Sequence, residues 1–196
     1  MKTIHFFLAL QVFGLMGLVG CATTGHPTSG TQSFSNHAVL LELAFETQGT
    51  DSLCGVASVE MVTRYYGKRL TSVQSAFLRQ EAKDHNGVSG ASLEKVLEGA
   101  GYFVAVFPDT LDRGESSLFN HLDQKRPLIV MLGAAPRHYT VVTGYDPDYG
   151  LIVLLDPARG QVAVPIQDFA KAWKEANYFT LLASPDQENS GKNESP

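Results

Sequence analysis

The 196-residue chain is short of cysteine, tryptophan and positive charge, and each shortage removes a class of protein. Two cysteines make no disulfide scaffold, so burial of apolar surface must hold the fold. Fifteen Lys and Arg against 20 Asp and Glu leave a net charge of −5, with no basic stretch to carry a nucleic-acid contact. No phosphate-cradling Gly-rich motif, internal repeat or His, Cys and carboxylate set with metal-ligand spacing occurs, so no cofactor is expected.

What is present begins with two unlike ends. Lys2 precedes an apolar stretch, Phe6 to Leu10 and Val12 to Val19, which closes on Leu18-Val19-Gly20-Cys21. The stretch is short and carries glycines at 14, 17 and 20, against the roughly 20 apolar residues of a spanning helix. Its anatomy is that of a secretory signal, and the lipobox resembles that of bacterial lipoproteins. That resemblance implies loss of residues 1–20, diacylglycerol on the Cys21 thiol and, with Ala22 next, the outer membrane facing the periplasm. Residues 21–37 then form the lipidated Cys21 and a flexible tether rich in Thr, Gly, Ser and Pro, and residues 184–196 a disordered polar tail. Residues 38–183 are one domain, of an ordinary size for a single core.

With Cys21 committed to lipid, Cys54 has no partner in the chain. A buried Cys acting as a small hydrophobe is the bland possibility, and its surroundings argue against it. Leu41, Leu43 and Phe45 alternate with Glu42, Ala44 and Glu46, which predicts a half-buried strand running to Gln48. Gly49 to Ser52 make a turn. From Cys54 to Tyr66, Ala57, Met61, Val62 and Tyr65 recur at helical spacing, and Gly67 stands where a left-handed cap would end the helix. Cys54 thus falls in a first helical turn, where unpaired N–H groups and the helix dipole favour thiolate. Gln48, six residues earlier, could join the Cys54 N–H in binding an oxyanion.

The second half offers partners for such a nucleophile. Pro127 to Leu132, the segment from His138 and the segment from Gly150 are short strands, the last two joined by turn residues Asp146-Pro147 and Tyr149-Gly150. An antiparallel hairpin would bring His138, at the start of one strand, and Asp156, at the end of the other, to the same end of the ladder. A carboxylate there can hold an imidazole in the tautomer that accepts a thiol proton.

Gln48 with Cys54 in Q-x5-C-G-V-A-S, Tyr65-Tyr66-Gly67, His138-Tyr139-x-Val141-Val142-x-Gly144-Tyr145 and Asp156-Pro157-x-x-Gly160 together resemble the bacteriocin-processing, or double-glycine leader, cysteine peptidases. The match runs in order from about Leu41 to Phe179. It implies an α+β, papain-like fold with an N-terminal nucleophile helix packed on an antiparallel sheet. It further implies Cys54 as nucleophile, His138 as general base and acid, Asp156 as its orienting carboxylate and Gln48 as oxyanion donor. Phe169 and Trp173 match the family's closing helix and are expected in the core. Where many members carry Asp directly before the nucleophile, this chain has Leu53. Familiar members are domains of export transporters, whereas no ATP-binding cassette is present here, which implies a stand-alone lipid-tethered form.

The expected function is that of a cell-envelope lipoprotein cleaving an exported peptide or protein, after a Gly-Gly-like leader, in contact with an export or secretion system. The alternatives are a peptidoglycan stem-peptide hydrolase, an acyl transferase and a catalytically silent peptide-binding module. His26, His37, His85 and His121 are expected to be solvated, Tyr102, Phe103 and Phe107 to be strand core, and Leu93, Val96 and Leu97 to face inward from a short helix. The loop from Asp84 to Gly90 could line a substrate cleft.

Overall fold

The structure, a computed structural model, describes residues 33–185 apart from Thr50, Glu115, Ala134 and Ala135. The expected leader, Cys21 and the tail from residue 186 lie outside the described residues.

Three helices form the first layer. α1 (Cys54–Tyr65) follows a single 3-10 turn at Asp51–Leu53 and buries Val56, Val59, Met61 and Val62. It ends as expected: Gly67 adopts φ 72°, its N–H donates to the Arg64 carbonyl at 3.0 Å, and the Lys68 N–H reaches back to Thr63 at 3.0 Å. α2 (Ser72–His85) starts at a reciprocal capping box between Thr71 and Gln74, and α3 (Gly90–Gly99) at Ser89, whose hydroxyl accepts from the Ser92 N–H at 3.1 Å. α2 gives little periodic signal in the sequence, because only Leu78 and Ala82 of its 14 residues are buried. In α3, Leu93, Val96 and Leu97 do face inward.

The second layer is an antiparallel sheet of β1 (Val39–Leu40), β2 (Tyr102–Pro108), β3 (Leu128–Leu132), β4 (His138–Asp146), β5 (Leu151–Asp156), β6 (Gly160–Pro165) and β7 (Phe179–Pro185). The path runs β2-β7-β3-β4-β5-β6, and β1 pairs with the far end of β4. On the other face of the sheet lie α4 (Leu118–Asp123) and α5 (Ile166–Glu175). Phe169 and Trp173 are buried there as expected, the Trp173 Nε1–H donating to the Phe179 carbonyl at 3.1 Å.

β4 organises the molecule because it faces both layers. Tyr139 and Val141 pack under α1 and α3, whereas Val142 packs towards α4 and α5. A bulge between Val142 and Gly144 then shifts the alternation by one, which keeps Tyr145 on the α4 and α5 side with Val142.

The expected boundaries of the domain move outward: Ser184 and Pro185, expected in the tail, end β7 opposite Phe103 and Tyr102, and Ser35 and His37, expected in the tether, are bonded to Asp146 and Asp148. Three further expectations fail, each for a physical reason. The predicted strand over 41–48 does not form. Leu41 still donates to Thr143 at 2.7 Å, but β3 occupies that edge of β4 from His138 to Val142, so the chain must leave the sheet. Phe45 is consequently 46% exposed. Phe103 is 56% exposed, since β2 is the edge strand and only Tyr102 at its start is fully buried. His121 is buried on α4, its ring 5.8 Å from that of Phe107.

Candidate active site

The antiparallel hairpin of β4 and β5 is in the expected register, Val141 opposite Leu155 and Asp146 opposite Leu151. His138 and Asp156 therefore meet at one end of the ladder, with the His138 Nε2 3.0 Å from the Asp156 Oδ1. An ionised carboxylate only accepts, so Nε2 carries the proton and Nδ1 is the basic nitrogen. The Cys54 thiol, at the first position of α1 and 6% exposed, interacts with this imidazole and with the backbone N–H groups of Tyr139 and Gly55. Glycine follows Cys54 because α1 crosses β4 closely: a Cβ at position 55 would stand 3.0 Å from the Tyr139 ring. That approach sets the thiol against the start of β4.

Charge is strongly polarised across the three side chains. Burial pushes the Cys54 thiol up, yet the His138 contact and the two N–H groups outweigh it, and the net shift is downward. His138 is raised to about 9, chiefly by its hydrogen bond to Asp156 and then by Cys54. For Asp156, burial raises the pKa, but hydrogen bonds from His138, the Ala158 N–H and Arg159 hold it well below the ordinary carboxylate range. The set therefore shifts the balance towards thiolate beside imidazolium, the form of a cysteine able to attack a carbonyl carbon.

Gln48 is 9% exposed and its backbone N–H donates to the Pro157 carbonyl at 3.0 Å. The residue expected to bind an oxyanion is thus tied to the turn that directly follows Asp156. The loop from Asp84 to Gly90 does line a cleft, of about 940 Å³, with Cys54, Glu81, Met131, Pro136, Arg137 and Tyr139. Asn86 at φ 55° and Gly87 at φ 146° give that loop its tight reversal between α2 and α3. His85 is exposed on the same rim, and His37 lies away from it, bonded to Asp148 at 2.8 Å. Sequence reasoning missed Arg159, whose guanidinium grips Asp156, and Tyr139 on the cleft wall. The signal for Arg159 was its place three residues after Asp156 in a Pro-containing turn. Among the described residues no group of His, Cys, Asp and Glu could hold a metal ion.

A cysteine opening a helix that lies on an antiparallel sheet, with His and Asp on adjacent strands of that sheet, is the architecture of papain-like cysteine peptidases. The model of the Peptidase C39-like family matches residues 40–180, and the chain belongs to that family. It is similar to the transport/processing ATP-binding protein ComA of Streptococcus pneumoniae, 32% identical over 136 residues that make up 68% of this chain and 18% of ComA. It is also similar to the lactococcin-G-processing and transport ATP-binding protein LagD of Lactococcus lactis, 26% identical over 120 residues, 61% of this chain and 16% of LagD. The chain spans less than a fifth of the length of either relative. Two solved structures share the fold. One is a double glycine motif protease from an AMS/PCAT transporter in complex with the leader peptide, with TM-score 0.60 and 19% identity, covering 75% of this chain and 94% of that one. The other is the peptidase domain of Streptococcus ComA, a bi-functional ABC transporter involved in quorum sensing, with TM-score 0.56 and 21% identity, covering 74% and 98%.

Proposed function

We propose that the protein is a cysteine peptidase of the bacterial cell envelope that cleaves an exported peptide or protein, after a Gly-Gly-like leader, by thiolate acyl transfer. The observation that carries this reading is the Cys54 thiol beside an imidazole whose other nitrogen is held by Asp156 at 3.0 Å. The Cys54 thiolate adds to the peptide carbonyl carbon, and the Gln48 amide with the Cys54 N–H holds the oxyanion. As the tetrahedral intermediate collapses, the C–N bond breaks and the His138 imidazolium gives its proton to the departing amine. The neutral imidazole then takes a proton from water, whose oxygen attacks the thioester; the C–S bond breaks and the thiolate is restored.

The lipobox ending at Cys21 supports a lipid-anchored form exposed to the periplasm at the outer membrane, with the polar stretch ahead of Ser35 as its tether. Incorporation of a labelled fatty acid that is lost in Cys21→Ser tests the anchor. The double-glycine preference rests on the relatives, whose names describe processing and a leader peptide.

The test of the activity is incubation of the full chain with synthetic double-glycine leader peptides, with products followed by mass spectrometry and binding by calorimetry. Native protein should cut and Cys54→Ala should bind without cutting. Binding with no product from the native protein would make it a silent peptide-binding module. Release of fragments from purified cell-wall stem peptides alone would make it a wall hydrolase.

A further inference from the structure

The turn after β5 does more than reverse the chain. Asp156 is buried, its side chain 2% exposed, and its two oxygens are divided between different donors. Oδ1 accepts from His138 Nε2 at 3.0 Å and from the Ala158 N–H at 2.8 Å. Among the described residues Oδ2 accepts from Arg159 alone, Nε at 2.8 Å and a terminal guanidinium nitrogen at 2.7 Å. An ionised carboxylate has about four acceptor sites, and all are used. The Arg159 side chain is nonetheless 59% exposed, so it resembles an ordinary surface arginine unless its head group is followed to the buried oxygen. Its backbone N–H closes the turn onto the Asp156 carbonyl at 3.1 Å, and Gly160 at φ 79° lets the chain leave into β6.

We propose that Arg159 is a positioning residue: it fixes the Asp156 carboxylate with Oδ1 towards His138 and takes up part of its charge, so that the imidazolium is held but still gives up its proton. The proposal rests on the reading of Cys54, His138 and Asp156 as the reacting set. Without Arg159, Oδ2 would be buried with no donor, and the carboxylate would be left with His138 and the Ala158 N–H as its partners. The full carboxylate charge would then also fall on the imidazolium and overstabilise it. Among the described residues, Cys54 is the other group that acts on His138, and the charged or titratable side chains lining the cleft beside Cys54 are Glu81, His85, Arg137 and Tyr139. None of these touches Oδ2, so none replaces Arg159.

The test follows the His138 imidazole by NMR against pH in the full chain, for native protein, Arg159→Ala, Arg159→Lys and Asp156→Asn, together with thermal unfolding. Loss of a cation near the imidazolium should raise the His138 midpoint by about half to one pH unit in Arg159→Ala, and Arg159→Lys should bring it back towards the native value. A His138 midpoint unchanged in Arg159→Ala, with only the unfolding temperature lowered, overturns the proposal and leaves Arg159 a turn residue. The reading beneath it fails separately, and takes the proposal with it, if Cys54 alkylation in native protein and in His138→Ala has the same pH dependence.

Discussion

The Gln48 N–H donates to the Pro157 carbonyl at 3.0 Å, which fastens the segment before α1 to the residue after Asp156. The segment that leads to Cys54 and the hairpin that carries His138 and Asp156 are therefore held together. In the proposed mechanism the Gln48 side chain acts only once an oxyanion exists, whereas its backbone contact exists throughout. Gln48→Ala keeps the backbone contact and should lower peptide turnover by about 10²–10³-fold. Alkylation of Cys54 by iodoacetamide forms no oxyanion and should proceed at the native rate. Equal losses in the two assays would remove Gln48 from the oxyanion site.

The direction of the pKa shifts fixes a pH window. The Cys54 thiol lies below its ordinary value and His138 lies at about 9, so hydrolysis should rise on the acid side as the thiol ionises. It should fall through about pH 9 as the imidazolium loses the proton that the leaving amine requires. In His138→Ala burial acts on the thiol with its main opponent gone, and Cys54 alkylation at pH 6 should slow by about tenfold or more. A rate at pH 6 equal to native would contradict the pairing.

Gly55 permits the close crossing of α1 over β4, with any Cβ there 3.0 Å from the Tyr139 ring. Gly55→Ala should displace the start of α1 by a few tenths of an ångström and carry the thiol with it. The expected result is a several-fold loss of hydrolysis with a small fall in the unfolding midpoint, since misplacement of about 1 Å can cost some 10²-fold in rate and this shift is a fraction of that. A loss of activity only in proportion to unfolded protein would show that the crossing matters for stability alone.

Gly144 sits under β1, and a side chain there would collide with the Val39 carbonyl and crowd Leu40. Because the obstacle is backbone, Gly144→Ala should cost on the order of 1–3 kcal/mol. Hydrogen exchange should quicken at Leu41, whose N–H donates to Thr143. Native protection at Leu41 in the variant would show that the strand shifts without loss.

Asp109 is raised to about 6, first by burial, so its folded-state pKa lies above the unfolded value. The folded chain then binds more protons than the unfolded chain between about pH 4 and 6, and stability falls as pH rises through that range. Asp109→Asn keeps an oxygen to accept from the Thr110 N–H, now 2.6 Å from the carboxylate. It should raise unfolding stability at pH 8 by roughly 1–3 kcal/mol and change little at pH 4. An equal effect at both values would mean that the charge is not the cause.

The parts of this structure that were legible in the sequence are those that depend on short-range order. The helix from Cys54, its Gly67 terminus and the β4 and β5 hairpin each follow from spacing within some 20 residues, and the hairpin alone predicts that His138 meets Asp156. What was hidden depends on competition between distant segments. The alternation of Leu41, Leu43 and Phe45 is real, but whether it becomes a strand is decided by β3, nearly 90 residues later, taking the edge of β4 first. The burial of His121 is not legible because nothing near it in sequence foretells Phe107, which β2 brings to the same face of the sheet. Arg159 was passed over because an exposed arginine and one gripping a buried oxygen are spelled alike.

β4 begins at His138 and ends at Asp146, whose carboxylate oxygens accept from the Ser35 N–H at 2.7 Å and the Ser35 hydroxyl at 2.8 Å. A strand of nine residues separates those points by about 25 Å. Tension drawn through the chain ahead of Ser35 would enter the fold at that fastening, and the His37–Asp148 pair and then the two-residue β1 ladder would be the next links to carry it. The imidazole lies at the opposite end of the same strand, so the first bonds to part under load are the ones farthest along β4 from the chemistry.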